Sequence, residues 1–486
     1  MKIKKRKRVK AGIPLLLIFL LIAGVSFLSF QYFTKTGLFS VPGVVYYDES
    51  LSEAEIAQLK TIFVDELVLK KDVSISAYTS DEKPALSEGS YLIDISVPVT
   101  DFYESRSDTK DLQPSEYEYI SINDLEFNKK LLAVNGDYFL DSFDSGARFR
   151  TLNFKSESFD EEIKPLVDGV FGEKSFPEKD SVLTFAQTGV TALSRGMNKK
   201  IKNVGNGQYF AENIGEYLSS FDITHTSNES SFTDLASDGN ICSDWRFKDT
   251  LSSIGLDIVE LTGNHNQDCG NQAAIDTIDY YQQSGIKIVG GGKTAPEAAI
   301  PLTVKEKGTN ITFFAYNLST GGATYGNSPG ANQYIEEVAA EEIRTAKDKG
   351  GFVIIDIQYY ECSNYVSETE DTTCDYADSA AGDQVGFFRH LIDLGADLVV
   401  GTSAHQPQTY ELYGDGVIYY GLGNLFFDQV WWPGTTRSLI LSHYFYNNQL
   451  LQTKIVPTVF DEDLQTTIMD EETKQWFIKR LAQVHP

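Results

Sequence analysis

The chain has 486 residues, room for two or three domains and a large buried core. Its hydrophobic content of 42% and charged content of 23% are ordinary for a globular protein. Its net charge of −28 is not: seven basic side chains crowd residues 2–10, leaving 34 basic against 69 acidic groups in residues 11–486, which excludes a basic nucleic-acid-binding surface.

The basic run KIKKRKRVK precedes AGIPLLLIFLLIAGVSFLSF, residues 11–30, which carries no charge and matches the ~20 residues that cross a bilayer. Residues 1–10 are therefore predicted to be a cytoplasmic segment and 11–30 a single-pass anchor, with the body outside the cytoplasm at the cell membrane. A cleaved signal peptide has a shorter apolar core ending in small residues, whereas Phe27, Leu28 and Phe30 stand where cleavage would occur.

Residues 44–165 alternate strand-like runs (VVYY, VSISAY, YLIDISVPV, LLAVNGDYFL) with one helix-like run, SEAEIAQLKTIFVDELVL, opened by a Ser52–Glu55 capping pair. They predict a separate, smaller α/β domain without a catalytic constellation. Residues 166–180 form a turn-rich boundary. From 180 to 460, apolar strands (VLTFAQTGV, DIVELTGN, KIVGGG, ITFFAYN, FVIIDIQYY, DLVVGTSA, GVIYYGLGN) alternate with helical stretches such as QAAIDTIDYYQQSG and EEVAAEEIRTAKDKG. That order predicts parallel pairing in a layered α/β domain. Residues 438–460 then predict a hairpin turning at Asn447-Asn448.

In such folds ligands gather at the carboxyl ends of strands. Polar groups fall there: Asn264-His265 with Asp268, Gln358 to Glu361, Gly401 to His405, Gly421 to Asn424, and His225 to Glu229. His, Asp, Glu and Asn are the ligand types of two-metal hydrolases, which clamp a phosphoryl group between ions about 3.5–4 Å apart. A neutral imidazole also serves as a leaving-group acid. Of the six histidines, His265 and His405 are the best placed, while His390, His443 and His485 read as structural, and His225 leans that way. Asp268 reads equally as a helix cap or a metal ligand. The four cysteines, Cys242, Cys269, Cys362 and Cys374, allow three pairings. Cys362 with Cys374 would close a polar acidic loop, and Cys242 with Cys269 would be the remaining pair. No CxxC is present, against a zinc ribbon.

LTGNHNQDCG, GIKIVGGGKTAPEAAIP and ADLVVGTSAHQPQTYELYGDGVIYYGLGNLFFDQ, in that order over residues 180–430, resemble the CapA family of poly-γ-glutamate capsule synthesis proteins. The resemblance implies a layered α/β sandwich of calcineurin-like metallophosphatase type and an outward-facing, membrane-anchored protein. Its Asn-His motif matches Asn264, His265, Asp268 and Gly270. Glu229, after Ser227-Asn228, matches a family glutamate, His405 the last histidine of a Gly-His-His-Pro-His motif, and Asn424 a Leu-Gly-Asn-Phe motif. Val190 replaces the first motif's aspartate ahead of Arg195, and Gln358-Tyr359-Tyr360 replaces His-Trp-Gly near Glu361.

The resemblance thus implies His265, His405, Glu229 and Glu361 as catalytic groups, and Asn264, His265, Asp268 and His405 as ligands of one divalent Mn, Fe or Zn ion, or of none. Asn228, Arg195 and Asn424 would bind substrate. The expected role is biosynthesis, export or attachment of a capsule or cell-surface polymer. The alternatives are a non-catalytic polymer-binding or scaffold subunit and a metal-dependent phosphoesterase. Expected partners are the membrane, an anionic surface polymer or its lipid carrier, and capsule export subunits, but no nucleic acid.

Overall fold

A computed structural model describes residues 44–63, 66–70, 75–154, 163–172, 176–318, 321–358 and 384–483. The expected anchor at 11–30, Glu361, Cys362, Cys374 and His485 lie outside the described residues. Among the described residues no helix is long and apolar enough to cross a membrane.

The chain divides into two compact units, residues 1–96 with 144–176 and residues 97–143 with 177–486. The smaller unit holds β1 (Val44–Tyr47), α1 (Glu53–Ile62), β2 (Glu66–Leu69), β3 (Ile75–Ser80), the first part of β4 (Ser90–Asp101), β5 (Arg148–Phe154) and α2 (Lys164–Phe171). The Ser52–Glu55 capping box is present. The predicted helix is shorter than its apolar text, because Glu66–Leu69 leaves it to pair in parallel with β1. Arg150 on β5 grips the Glu55 carboxylate with two hydrogen bonds of 2.6 and 2.7 Å.

The predicted domain 44–165 differs from this division, since residues 97–143 group with the larger unit. The reason lies in their contacts. Tyr103 stacks on Tyr410 at 5.8 Å and its hydroxyl accepts the Leu412 N–H, while the Lys129 carbonyl accepts from Gln452 at 2.7 Å. The predicted strand over LLAVNGDYFL is broken at Asn135 and Gly136, both with positive φ.

The larger unit opens with β6 (Leu183–Thr191), β7 (Ile223–Asn228), β8 (Ile258–Glu260) and β9 (Lys287–Val289), all paired in parallel. A second sheet follows: β10 (Leu302–Glu306), β11 (Thr309–Asn317), β12 (Phe352–Gln358), β13 (Leu398–Gly401), β14 (Tyr410–Tyr413) and β15 (Gly416–Tyr419), in the order β10-β11-β12-β13-β15-β14. The chain then returns to the first sheet with β16 (Asn424–Phe426), β17 (Arg437–Tyr446), β18 (Gln449–Val459) and β19 (Thr467–Ile468). That sheet runs β9-β8-β7-β6-β17-β18-β19, with β16 also beside β6. Asn447 and Asn448 both take positive φ in the predicted hairpin turn, as a two-residue turn matching the strand twist requires.

One apolar cluster joins Phe185, Ile258, Phe313, Ile354 and Val400, so the two sheets face each other. The outer face of the first sheet is covered through α3 (Gly196–Val204), α4 (Lys248–Ser253) and α5 (Asn271–Gln283). The outer face of the second is covered by α6 (Glu336–Asp348) and α7 (Gln384–Asp393). A final helix, α8 (Glu471–Ala482), packs Phe477 and Leu481 into the central cluster. The architecture is α/β, with helices outside two packed sheets. Burial on both faces explains why β12 reads as a near-continuous apolar run.

Candidate functional site

The carboxyl ends of the parallel strands lie along one edge. On the first sheet, Asn424 pairs with Val190, Val190 with Ser227, and Ser227 with Glu260. At about 4.8 Å per strand step, Asn424 and Ser227 stand roughly 10 Å apart. The second sheet adds Gln358 and Gly401 at the ends of β12 and β13. The Asn317 amide, at the end of β11, donates across to the Thr262 carbonyl at 2.6 Å and ties the two edges together.

Five side chains form one linked series. Gln358 Nε2 lies 3.3 Å from both Glu229 Oε1 and Asn264 Oδ1. Asn264 Nδ2 lies 3.4 Å from His265 Nε2, and His265 Nδ1 lies 2.8 Å from Asp268 Oδ2. Glu229 is buried, with its N–H donating to the Thr191 carbonyl at 3.0 Å. Gly263 makes this closeness attainable, because a Cβ there would fall 2.8 Å from Glu229 Cα. Asp268 does not cap α5, whose N-cap is Gly270 without a side-chain cap, so the carboxylate faces the imidazole instead. A bond between Cys242 and Cys269 fastens the loop one residue beyond Asp268.

A second group stands at the β16 end of the edge. His405 Nδ1 meets Asn424 Oδ1 at 2.9 Å, and the Asn424 amide donates to Gln429 and to the Thr435 carbonyl. Arg195 donates twice to Asp428 Oδ1, at 3.0 and 2.5 Å, with its guanidinium 4.3 Å from the Phe427 ring centroid. Arg195 has φ of 49°, a conformation side chains rarely take, held here by Asp428, which also accepts the Gly196 N–H. Trp431 and Trp432 lie exposed beside it.

Asn228 is turned inward instead, donating to the Ser230 carbonyl and the Tyr281 hydroxyl at 2.8 and 3.0 Å. His225 is fully buried between the sheets, and His443 is buried with its ring stacked on Phe185. Burial holds the His443 imidazole neutral, with its pKa pulled down to about 3. His390 pairs with Glu336 on the helical surface. Burial, with the charge of Asp356 as the smaller cause, pushes Glu260 up to about 7. Sequence reasoning noticed Gln358 only as a strand-end residue and missed Asp428. Nothing local marks either; their roles come from the partners the fold brings to them.

A divalent metal needs several anionic or imidazole donors converging on one point. Among the described residues no three His, Cys, Asp or Glu side chains do so. Val190, buried at the end of β6, supplies no donor, and the His265 nitrogens face Asn264 and Asp268. The described donor set does not fit a metal centre. What it offers is a row of amide, carboxylate and imidazole groups able both to donate and to accept hydrogen bonds.

Residues 184–429 match the family described as bacterial capsule synthesis protein PGA_cap, about half of the chain. The chain belongs to this capsule synthesis family. It is 24% identical over 218 residues to a capsule biosynthesis protein CapA of Bacillus anthracis, covering 44% of this chain and 50% of that one. It is 25% identical over 233 residues to a PGA biosynthesis protein CapA of Bacillus subtilis, covering 47% and 58%. It is 26% identical over 188 residues to a probable polyglutamine synthesis accessory protein of Mycobacterium tuberculosis, covering 36% and 46%. The chain thus spans about half the length of the curated relatives it matches. The capsule-synthesis match begins within β6 and ends at Gln429, so it contains every strand-end residue described above.

Proposed function

We propose that this chain is an accessory protein in the synthesis, export or attachment of a poly-γ-glutamate-like surface polymer, and that the strand-end site binds that polymer. The supporting observation is the linked row Glu229, Gln358, Asn264, His265 and Asp268. A polymer of repeating amides offers alternating donors and acceptors, and amide side chains answer both. Residues 11–30 anchor the protein in the cell membrane with the body outside, beside the export subunits. The acidic body repels a free polyanion, so recognition depends on local groups such as Arg195 and the imidazoles.

The test is binding of poly-γ-glutamate to the full chain in detergent, beside Gln358→Leu and His265→Ala. Each variant is expected to weaken binding about tenfold, the loss of roughly 1.4 kcal/mol from one well-formed contact. Unchanged binding in both variants would defeat the proposal. A second reading is favoured by the 2.8 Å contact of His265 Nδ1 with Asp268, which orients an imidazole as in metal-free acid–base catalysis. It predicts normal polymer binding by His265→Ala together with lost surface polymer in cells.

A further inference from the structure

A cavity of the larger unit lies away from the strand ends. It has a volume of about 240 Å³ and is bounded by residues 102–141, β18, α8 and Tyr410. It shares no residue with the strand-end site, and of its lining only Tyr410 falls within the family-matched stretch 184–429. At about 30 Å³ per water it has room for roughly eight waters, or a ligand of about ten non-hydrogen atoms.

Four lysines line it, and three are matched by acids. Lys110 stands 3.4 Å from Asp108, Lys454 2.9 Å from Asp141, and Lys474 2.5 Å from Glu471. The acids are themselves engaged: Asp108 accepts the N–H groups of Lys110, Asn135 and Gly136, and Asp141 accepts the Tyr444 hydroxyl. Lys130 differs. Its ammonium donates to the Glu104 carbonyl at 2.6 Å, and among the described residues no carboxylate lies within 4.0 Å of it. An ammonium has three N–H donors, so two remain for the cavity. Desolvation of the half-buried side chain, opposed by the charge of Glu104 and helped by that of Lys474, pulls Lys130 down to about 8, which a bound anion would reverse. Phe102, Leu131, Tyr138 and Ile478 supply apolar walls, a setting that strengthens one buried ion contact. The surrounding acids weigh against a dianion such as phosphate.

We infer that this cavity is a binding site for the carboxylate of a small acidic ligand of amino-acid size, held by Lys130 with Lys474 beside it. The inference stands apart from the function proposed for the strand-end site. The experiment is calorimetric titration of the full chain in detergent with L-glutamate and, separately, with inorganic phosphate. L-glutamate is expected to bind, and phosphate to bind at least tenfold more weakly. Lys130→Met should weaken glutamate binding at least tenfold. Circular dichroism checks its fold, and Lys474→Gln, whose lysine already has an acidic partner, should weaken binding severalfold if Lys130→Met does not fold. Absent glutamate binding, equal binding in the lysine variants, or stronger binding of phosphate would each overturn the inference.

Discussion

Asp356 of β12 lies 3.0 Å from His225 of β7, so a carboxylate and an imidazole meet between the two sheets without solvent exposure. Gln187 of β6 donates to the same carboxylate at 2.6 Å. The interior of this sandwich is therefore partly polar, and two other buried groups there, Glu260 and His443, couple folding to pH.

Glu260 and His443 pull in opposite directions. Glu260, raised to about 7, holds its proton more tightly folded than unfolded, so its contribution is complete below about 4.5 and is lost as pH rises toward 7. His443, lowered to about 3, is neutral when folded, so its contribution is complete above about 6.5 and is lost as pH falls toward 3. Between about pH 4.5 and 6.5 the two slopes offset each other. Urea unfolding of Glu260→Gln should show stability rising with pH across that window, by up to about 1.4 kcal/mol per pH unit. His443→Asn should show it falling. Parallel, flat profiles in both variants would contradict this assignment.

The paired hydrogen bonds from Arg150 to Glu55 fix the start of α1. Burial raises the Glu55 carboxyl, but the Arg150 hydrogen bonds and the Ser52 contacts outweigh it and hold the group low. Glu55→Ala removes the salt bridge and the capping box together, at a cost of about 1–3 kcal/mol. Hydrogen exchange of the α1 amides should quicken by about tenfold for each 1.4 kcal/mol lost. Arg150→Lys, which loses the fork, should show an intermediate effect.

A donor set that does not converge on a point should not retain an ion. After incubation with Mn, Fe or Zn and desalting, the purified chain is expected to carry far less than one ion per chain. Chelation should leave polymer binding unchanged. Stoichiometric metal that disappears in His265→Ala would show instead that residues beyond those described complete a metal site.

The Cys242–Cys269 bond spans 27 residues of sequence and ends beside Asp268. Closing a loop of that length restricts the unfolded chain by about 3–4 kcal/mol. Replacing both cysteines with alanine should lower the melting temperature by several degrees. It should also weaken polymer binding more than any surface substitution on α6 does.

Much of the body was legible because its signals are local. Apolar runs such as FVIIDIQ mark strands buried on both faces, Asn447-Asn448 marks a hairpin, and Ser52 with Glu55 marks a helix start. Glu66–Leu69 was not legible: its apolar spacing continues the helix, and pairing with β1 overrides it. The site divides likewise. Asn264, His265 and Asp268 stand out because a buried strand runs straight into them. Gln358 and Asp428 do not, since an ordinary glutamine and aspartate gain their roles from neighbours 94 and 233 residues away. The grouping of residues 97–143 was hidden for the same reason, because Tyr103 and Lys129 find their partners more than 300 positions later.

The bond at Cys269 also has a consequence for how the site is held. With both thiols reduced, the Asn264-to-Asp268 loop loses its covalent tether and keeps only hydrogen bonds such as those of Asn266 to the Leu261 carbonyl and of His265 with Asp268. Where glutathione keeps thiols reduced, the tether does not form. The oxidation state of this one pair therefore has to be fixed before the edge of any two preparations is compared.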